Sequence, residues 1–487
     1  MDVKNPGPGE DGSQLEKEMT LHQCGLVDTC FEEGHYEFGM EMLDRLRQEK
    51  YKPSISHVRQ LLYIALYPPT PFANDQAREG EQLPAPPTKG SPTKRKLQLP
   101  LKTNFAPSPD ATKAAQSLLN SLVATNTPES IARALPKFSN TGHIGPLATF
   151  SGSIEDSYIA RESMCIADSK HSWGMLKAGF IQRTQSSSVS HSSRKRGKSS
   201  YDVEEEVFEV DNALAPSSVA ENAWPVLDCL IRLFEKDQEL TGRSGAPLFS
   251  PLLLSQLPPP RSGTGPQWEA DAPLDIIFHA LKHENKSRVK YGARLMTLLI
   301  NLSSTVYFDL NMFATSVKSR RFAASPDLLW SLLSNLLPTS SVLNFKVVLC
   351  KQILSEASLA AVKPASRPKP QARAAPRARQ KQTIEHGDTH AITSATDSSH
   401  EGTTIANKMA LPTWSEIFQL MNTSNNHIRT KHELLSAFGT LQKTIPTDQR
   451  DAEWLRMGSD GSLKQAIETV FDINARETYK HTLHLLL

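Results

Sequence analysis

Apolar residues gather into three stretches separated by polar tracts, and within each stretch their spacing is helical. Between 21 and 67, Leu21, Leu26, Val27 and Phe31 make one stripe, Gly34 interrupts it, and Tyr36, Phe38, Met40, Leu43 and Leu46 start another. The pattern predicts a helical hairpin. After Lys52-Pro53-Ser54, the positions Ile55, Val58, Leu61, Leu62, Ala65 and Leu66 predict a third helix, with Ser54 as N-cap and Pro68-Pro69 as its stop. So small a unit buries too little surface to stand alone and is expected to dock elsewhere.

The second stretch opens at Val219. Trp224, Val226, Leu227, Leu230, Ile231, Leu233 and Phe234 occupy several faces of one helix, and Pro225 suits its first turn, where the missing N–H is harmless. Helical spacing resumes after a Pro-rich loop, over 274–281 and 291–302, and again over 326–337 and 342–359. Strand alternation and Asn-Gly turns do not compete with it. Residues 219–360 are the best candidate for an independently stable domain. The third stretch carries amphipathic segments at 414–421, 432–441 and 463–473. It closes on Leu483, Leu485, Leu486 and Leu487, which fits either a packed last helix or an interrupted longer domain.

The intervening tracts, 70–218 and 361–410, are rich in Pro, Ser, Thr, Ala and Arg and predict disordered linkers, as does the polar tail 1–20. Apolar interruptions at 117–123 and 173–181 are too short to be stable helices in isolation, although they could fold against a partner. The fold class expected is therefore all-α, in irregular repeat-like bundles: a three-helix segment 21–69, a main domain 219–360 and a C-terminal segment 411–487.

Composition agrees with partial order. Hydrophobic residues are 38% of 487, against about 45–50% in ordinary globular chains, and there are 33 prolines. The 54 basic and 52 acidic residues almost cancel, so net charge alone selects no polyanion partner. Five cysteines, Cys24, Cys30, Cys165, Cys229 and Cys350, are odd in number and mostly far apart, which fits reduced thiols and no disulfide framework. No apolar run reaches the ~18 residues a membrane helix needs, so no membrane partner is expected.

His22, Cys24, Cys30 and His35 lie close enough to suggest zinc, but helical periodicity turns Cys24 and Cys30 to different faces, and buried cysteine is the better reading. Nucleophile elbows, zinc-protease helices, phosphate loops and dinucleotide glycine fingerprints do not occur in the sequence. The expectation is a chain that is not an enzyme and carries no cofactor.

Basic clusters occur at Lys94-Arg95-Lys96, at Arg194-Lys195-Arg196 with Lys198, and from Arg367 to Lys381. In an extended linker such runs suit a nuclear import receptor or weak, indirect phosphate contacts to nucleic acid; an ordinary solvated linker is the competing reading. Ser91-Pro92 and Ser108-Pro109 read as proline-directed phosphorylation sites, where added charge would weaken either contact. Val207, Phe208, Val210 and Asp211, preceded by Glu204, Glu205 and Glu206, form an acid-flanked apolar core of the kind the small modifier SUMO binds as an added strand. A helix lead-in or acidic linker is the competing reading.

Two stretches of the chain resemble known families. The stretch 26–54, with Gly34, then Met42, Leu43 and Leu46, then Lys52-Pro53-Ser54, resembles one pentatricopeptide unit. Those proteins read RNA through many stacked copies, and one copy makes no reading groove. More of the chain, a three-helix start followed by 224–237 and 275–302, resembles the helical domain of the localisation factors of the SMC5/6 DNA-maintenance complex, including the SUMO-interacting-motif-containing member. That resemblance implies an all-helical docking surface paired with a second localisation factor, and it suits a SUMO motif at 207–210. The expected function is a nuclear adaptor that docks a helical partner and helps recruit such a genome-maintenance complex. An RNA- or DNA-binding helical-repeat protein is the alternative.

Overall fold

The computed structural model describes residues 16–69, 105–136, 138, 157–183, 217–243, 248–259, 269–305, 308–321, 326–362, 411–423 and 427–471. The fold is all-α, apart from a parallel pairing of two short strands, β1 (Lys17–Glu18) with β2 (Tyr51–Lys52). The chain divides into two units, Met1–Val342 and Leu343–Leu487.

In the first unit, Thr20 and Gln23 form a reciprocal capping box that starts α1 (Leu21–Glu32). Gly34, at φ +78°, turns the chain into α2 (Tyr36–Leu46). Gly39 lets the α2 backbone approach the Phe31 ring, since a Cβ there would stand 2.6 Å from Phe31 Cε1. The third helix, α3 (Ile55–Ala65), is the hub: His57, Val58 and every residue from Gln60 to Ala65 are buried. Its last carbonyls have no intrahelical partner and find them far along the chain. Gln116 Nε2 donates to Ala65 O, Asn222 Nδ2 donates to Leu66 O, and Arg183 donates twice to Pro68 O.

These partners lie in or beside the tract 70–218 that composition marks as linker, and there the structure corrects the expectation. Helix α4 (Pro109–Thr125) lays Ala111, Ala115, Leu118, Leu119 and Leu122 against α3 and against α9 (Trp224–Arg243). Lys236 of α9 donates to the carbonyls of Val123, Ala124 and Asn126, closing the C-terminal end of α4. Buried Glu16 accepts from the Thr127 backbone N–H and hydroxyl at the start of α5 (Pro128–Ala132). The short helices α6 (Tyr158–Glu162) and α7 (Met164–Asp168) pack on α3. Helix α8 (Ser172–Met175) is locked to the residue that ends α10 (Pro251–Ser255). Gln256 Oε1 accepts from Ser172 N–H and Oγ, Gln256 O accepts from Trp173 Nε1 at 2.9 Å, and Gln256 Nε2 donates to Pro136 O. Each piece is too short to persist alone and is held by burial and long-range hydrogen bonds.

The unit continues through α11 (Asp271–Leu281), α12 (Lys286–Leu302), α13 (Leu310–Arg321) and α14 (Pro326–Asn335). Arg294 of α12 spans two α9 acids, Asp228 and Glu235, with N–O distances of 2.6 Å to each.

The second unit differs from the expected boundary at 360. Helix α15 (Ser340–Val362) places Leu343, Val347, Cys350 and Leu354 in one core with the C-terminal helices α16 (Trp414–Thr423), α17 (Ile428–Thr444), α18 (Ala452–Ser459) and α19 (Ser462–Val470). Its stripe, spaced four, three and four residues apart, is completed by residues more than fifty positions away. An aromatic cluster anchors this core: Trp454 meets Trp414 and Phe438 edge-on, with centroids 5.1 and 5.3 Å away.

Candidate functional site

An open cleft of about 420 Å³ lies in the second unit between α16 and α18. Asp451 sets the spacing of its walls. One oxygen caps α18 by accepting from Trp454 N–H, and the other accepts from Trp414 N–H at the start of α16. Gln442 of α17 holds Asp451 in place by accepting its backbone N–H at 2.8 Å. The floor is apolar, made by Trp414, Phe418 and Met457, with Trp414 Nε1 donating to Met457 Sδ at 3.0 Å. The rim is polar: Ser415 donates to Glu453 at 2.5 Å, and Gln419 and Asn422 stand exposed beside them. An aromatic and thioether floor under a polar rim suits a bulky apolar side chain, with methionine adapting to its shape.

A second constellation, in the first unit, surrounds Trp224 at the start of α9. The His279 ring stacks on the indole at 5.7 Å and 14°, Arg288 lies over it with Cζ 4.8 Å from the centroid, and His283 meets it edge-on at 5.9 Å. Arg288 also contacts His283 and grips Glu221 with two hydrogen bonds of 2.9 and 2.6 Å. The Arg288 hydrogen bond holds the Glu221 carboxyl below its ordinary value. Burial, then the His283 charge, holds the His279 imidazole below its ordinary value, and His279 Nε2 lies 3.1 Å from Ser217 Oγ. Lys282, Lys286 and Lys290 are exposed around this corner, where Asn285 caps α12, and none has an ion pair among the described residues.

Most of the sequence-predicted sites lie outside the described residues: Val207, Phe208, Val210 and Asp211, the basic runs Lys94, Arg95, Lys96 and Arg194, Lys195, Arg196, Lys198, and Ser91. Ser108 is described, and it is the N-cap of α4 rather than part of a linker. Its Oγ accepts from Ala111 N–H and donates to Glu37 Oε1 at 2.8 Å. A phosphate there would put two anions together where a proton is now shared. His22, Cys24 and Cys30 lie in α1, where the two cysteines are only partly buried rather than in the core as their spacing suggested; Cys30 Sγ donates to Leu26 O, and partial burial pushes both thiols up. Among the described residues, no three His, Cys, Asp or Glu side chains come together as a metal site, and no helix is long and apolar enough to cross a membrane.

Sequence reasoning missed α18 and hence the cleft, although Trp454 three residues after Asp451 is a legible cap signal. The chain matches no family model, no curated protein and no solved structure.

Proposed function

We propose that this chain is a non-catalytic adaptor and that its second unit receives, in the α16–α18 cleft, a bulky apolar side chain from an amphipathic helix of a protein partner. The supporting observation is the cleft itself: an apolar floor of Trp414, Phe418 and Met457 within a rim of Ser415, Gln419, Asn422 and Glu453. An apolar floor under a polar rim suits the anchor of an amphipathic helix, and a pocket of about 420 Å³ exceeds any one side chain, leaving room for its flanking turn. Glu453 on the rim favours a cationic residue next to the anchor. Nuclear residence and recruitment of an SMC5/6-like genome-maintenance complex extend the proposal, and they rest on the family resemblance and the basic runs.

The test uses a photo-crosslinking residue at Gln419 of the full chain. The expected result is a crosslink to a helical segment of one protein partner, which persists after nuclease treatment and disappears when Asn422→Trp fills the cleft. Asn422 is exposed, so that variant leaves the core intact. Crosslinks that vanish with nuclease, or that ignore Asn422→Trp, would sink the proposal and favour the nucleic-acid reading.

A further inference from the structure

The corner around Trp224 carries more positive charge than it neutralises. Lys282, Lys286, Arg288 and Lys290 face two nearby acids, Glu221 and Glu284, and Glu221 is already committed to Arg288. The three lysines are presented from the end of α11 and the first turns of α12, a rigid pair of helices whose partial positive charge at the α12 N-terminus has the same sign. Cations fixed in this way without counter-ions form a surface suited to an acidic, extended peptide.

The chain itself brings such a peptide to the corner. Residues 202–211 hold six acids, Asp202, Glu204, Glu205, Glu206, Glu209 and Asp211, and no base. Six residues further on, Ser217 is anchored at the corner by its contact with His279, and its carbonyl accepts from Ala178 N–H. Six residues span at most about 20 Å, so the end of the acidic run is confined to the neighbourhood of the lysines. A tether that short sets a local concentration on the order of millimolar, well above that of a free acidic peptide in solution.

We infer that the acidic run 202–211 docks in cis on the basic corner formed by Lys282, Lys286 and Lys290. Charge complementarity and the Ser217 anchor carry this assignment, which is independent of the α16–α18 cleft. Docking there competes with any other use of Val207, Phe208 and Val210, so a modifier or partner that takes this segment as a strand must first displace it from the corner.

Lysine acetylation footprinting and zero-length carbodiimide crosslinking of the full chain test this. In the charge-neutral variant Glu204→Gln/Glu205→Gln/Glu206→Gln, acetylation of the three corner lysines at low salt should rise about threefold, the scale of exposed ion pairs. The gain should vanish in ~0.5 M salt, where such pairs are screened, while Lys113 of α4 stays constant as an internal reference. Carbodiimide should join the corner lysines to the acidic run at a yield independent of protein concentration. Unchanged acetylation would overturn the assignment. So would crosslinks confined to Lys195 and Lys198, which lie just upstream of the run, or crosslinks found only between isotopically distinct copies.

Discussion

Replacing Trp173 with alanine decides whether the tract 157–183 is part of the first unit or a tether beside it. Trp173 is 1% exposed, packs 6.0 Å from the Phe234 ring of α9, and donates its indole N–H to Gln256 O. Truncating a buried Trp costs about 3–5 kcal/mol, and leaving the Gln256 carbonyl short of a donor falls within that range or slightly above it. Phe234 belongs to α9, so the loss should appear there. Cys229 on the same helix provides the readout, because it is 4% exposed and burial pushes its thiol up to about 12, so alkylation waits for α9 to open. When opening equilibrates faster than labelling, the rate follows the open population. A loss of ~4 kcal/mol then accelerates Cys229 labelling by roughly a thousandfold, up to the ceiling set by full exposure. Trp173→Phe keeps most of the ring and forfeits mainly the hydrogen bond, about 1 kcal/mol, which corresponds to roughly fivefold. If Trp173→Ala left Cys229 labelling at the wild-type rate, α8 would contribute nothing to the unit and the linker reading would stand for the tract 157–183.

Gly39→Ala normally stabilises a helix interior by about 1 kcal/mol, but here the new methyl would lie 2.6 and 2.7 Å from two Phe31 ring carbons and 3.1 Å from Cys30 Cβ. Overpacking of about 1–3 kcal/mol should outweigh the propensity gain, so the thermal midpoint falls, and a raised midpoint would contradict the close packing of α1 on α2. The depressed basicity of His279 makes a signed prediction for pH. As pH falls below the ordinary value of 6.5, the unfolded chain takes up a proton that folded His279 resists, so stability present above that value is lost. Glu221 attracts that proton while His283, Arg288 and Lys282 repel it. His279→Phe, which preserves stacking on Trp224, should reduce the drop between pH 7.5 and 5.5 in urea melts and leave the shares of His171 and His432, whose basicity burial also lowers. An equally steep drop in the variant would mean that His279 is not a source of it.

What the sequence made legible follows the range of the interactions involved. Helices α1, α2 and α3 were readable because their signals are local: apolar spacing along each helix, Gly34 between the first two, and the Lys52-Pro53-Ser54 turn before the third. The helices between 109 and 175 were not. The first half of the inner face of α4 is alanine, Ala111 and Ala115, and α5 to α8 are five residues or fewer, below the length at which periodicity distinguishes a helix from chance. Their stability comes from partners such as Gln256 with Pro136, or Glu16 with Thr127, more than a hundred positions apart. The stripe 343, 347, 350 and 354 was visible, but which core would cover it was not. That ambiguity moved the predicted domain boundary to the wrong end of α15. The cleft stayed hidden for a related reason: its wall α18 has eight residues, and its floor is assembled from two helices that meet only on folding, through Asp451, the Ser415–Glu453 pair and the Trp414–Met457 contact.

The two candidate surfaces rest on different physics, and that difference separates them in solution. Binding in the α16–α18 cleft removes Phe418 and Met457 surface from water, above the buried Trp414. Its affinity should therefore change little with salt and carry a negative heat-capacity change. Contacts at the corner of Lys282, Lys286 and Lys290 are between exposed charges and weaken once the screening length falls to a few ångströms. An adaptor built from both can hold its helical partner through the cleft while the corner exchanges acidic segments. A partner whose recovery is unchanged at ~0.5 M salt is then assigned to the cleft, and one that is lost there to the corner. The Asn422→Trp and Glu204→Gln/Glu205→Gln/Glu206→Gln variants should divide partners along the same line. A partner sensitive to salt and also to Asn422→Trp would break this division and place the rim carboxylate Glu453, rather than the apolar floor, at the centre of recognition.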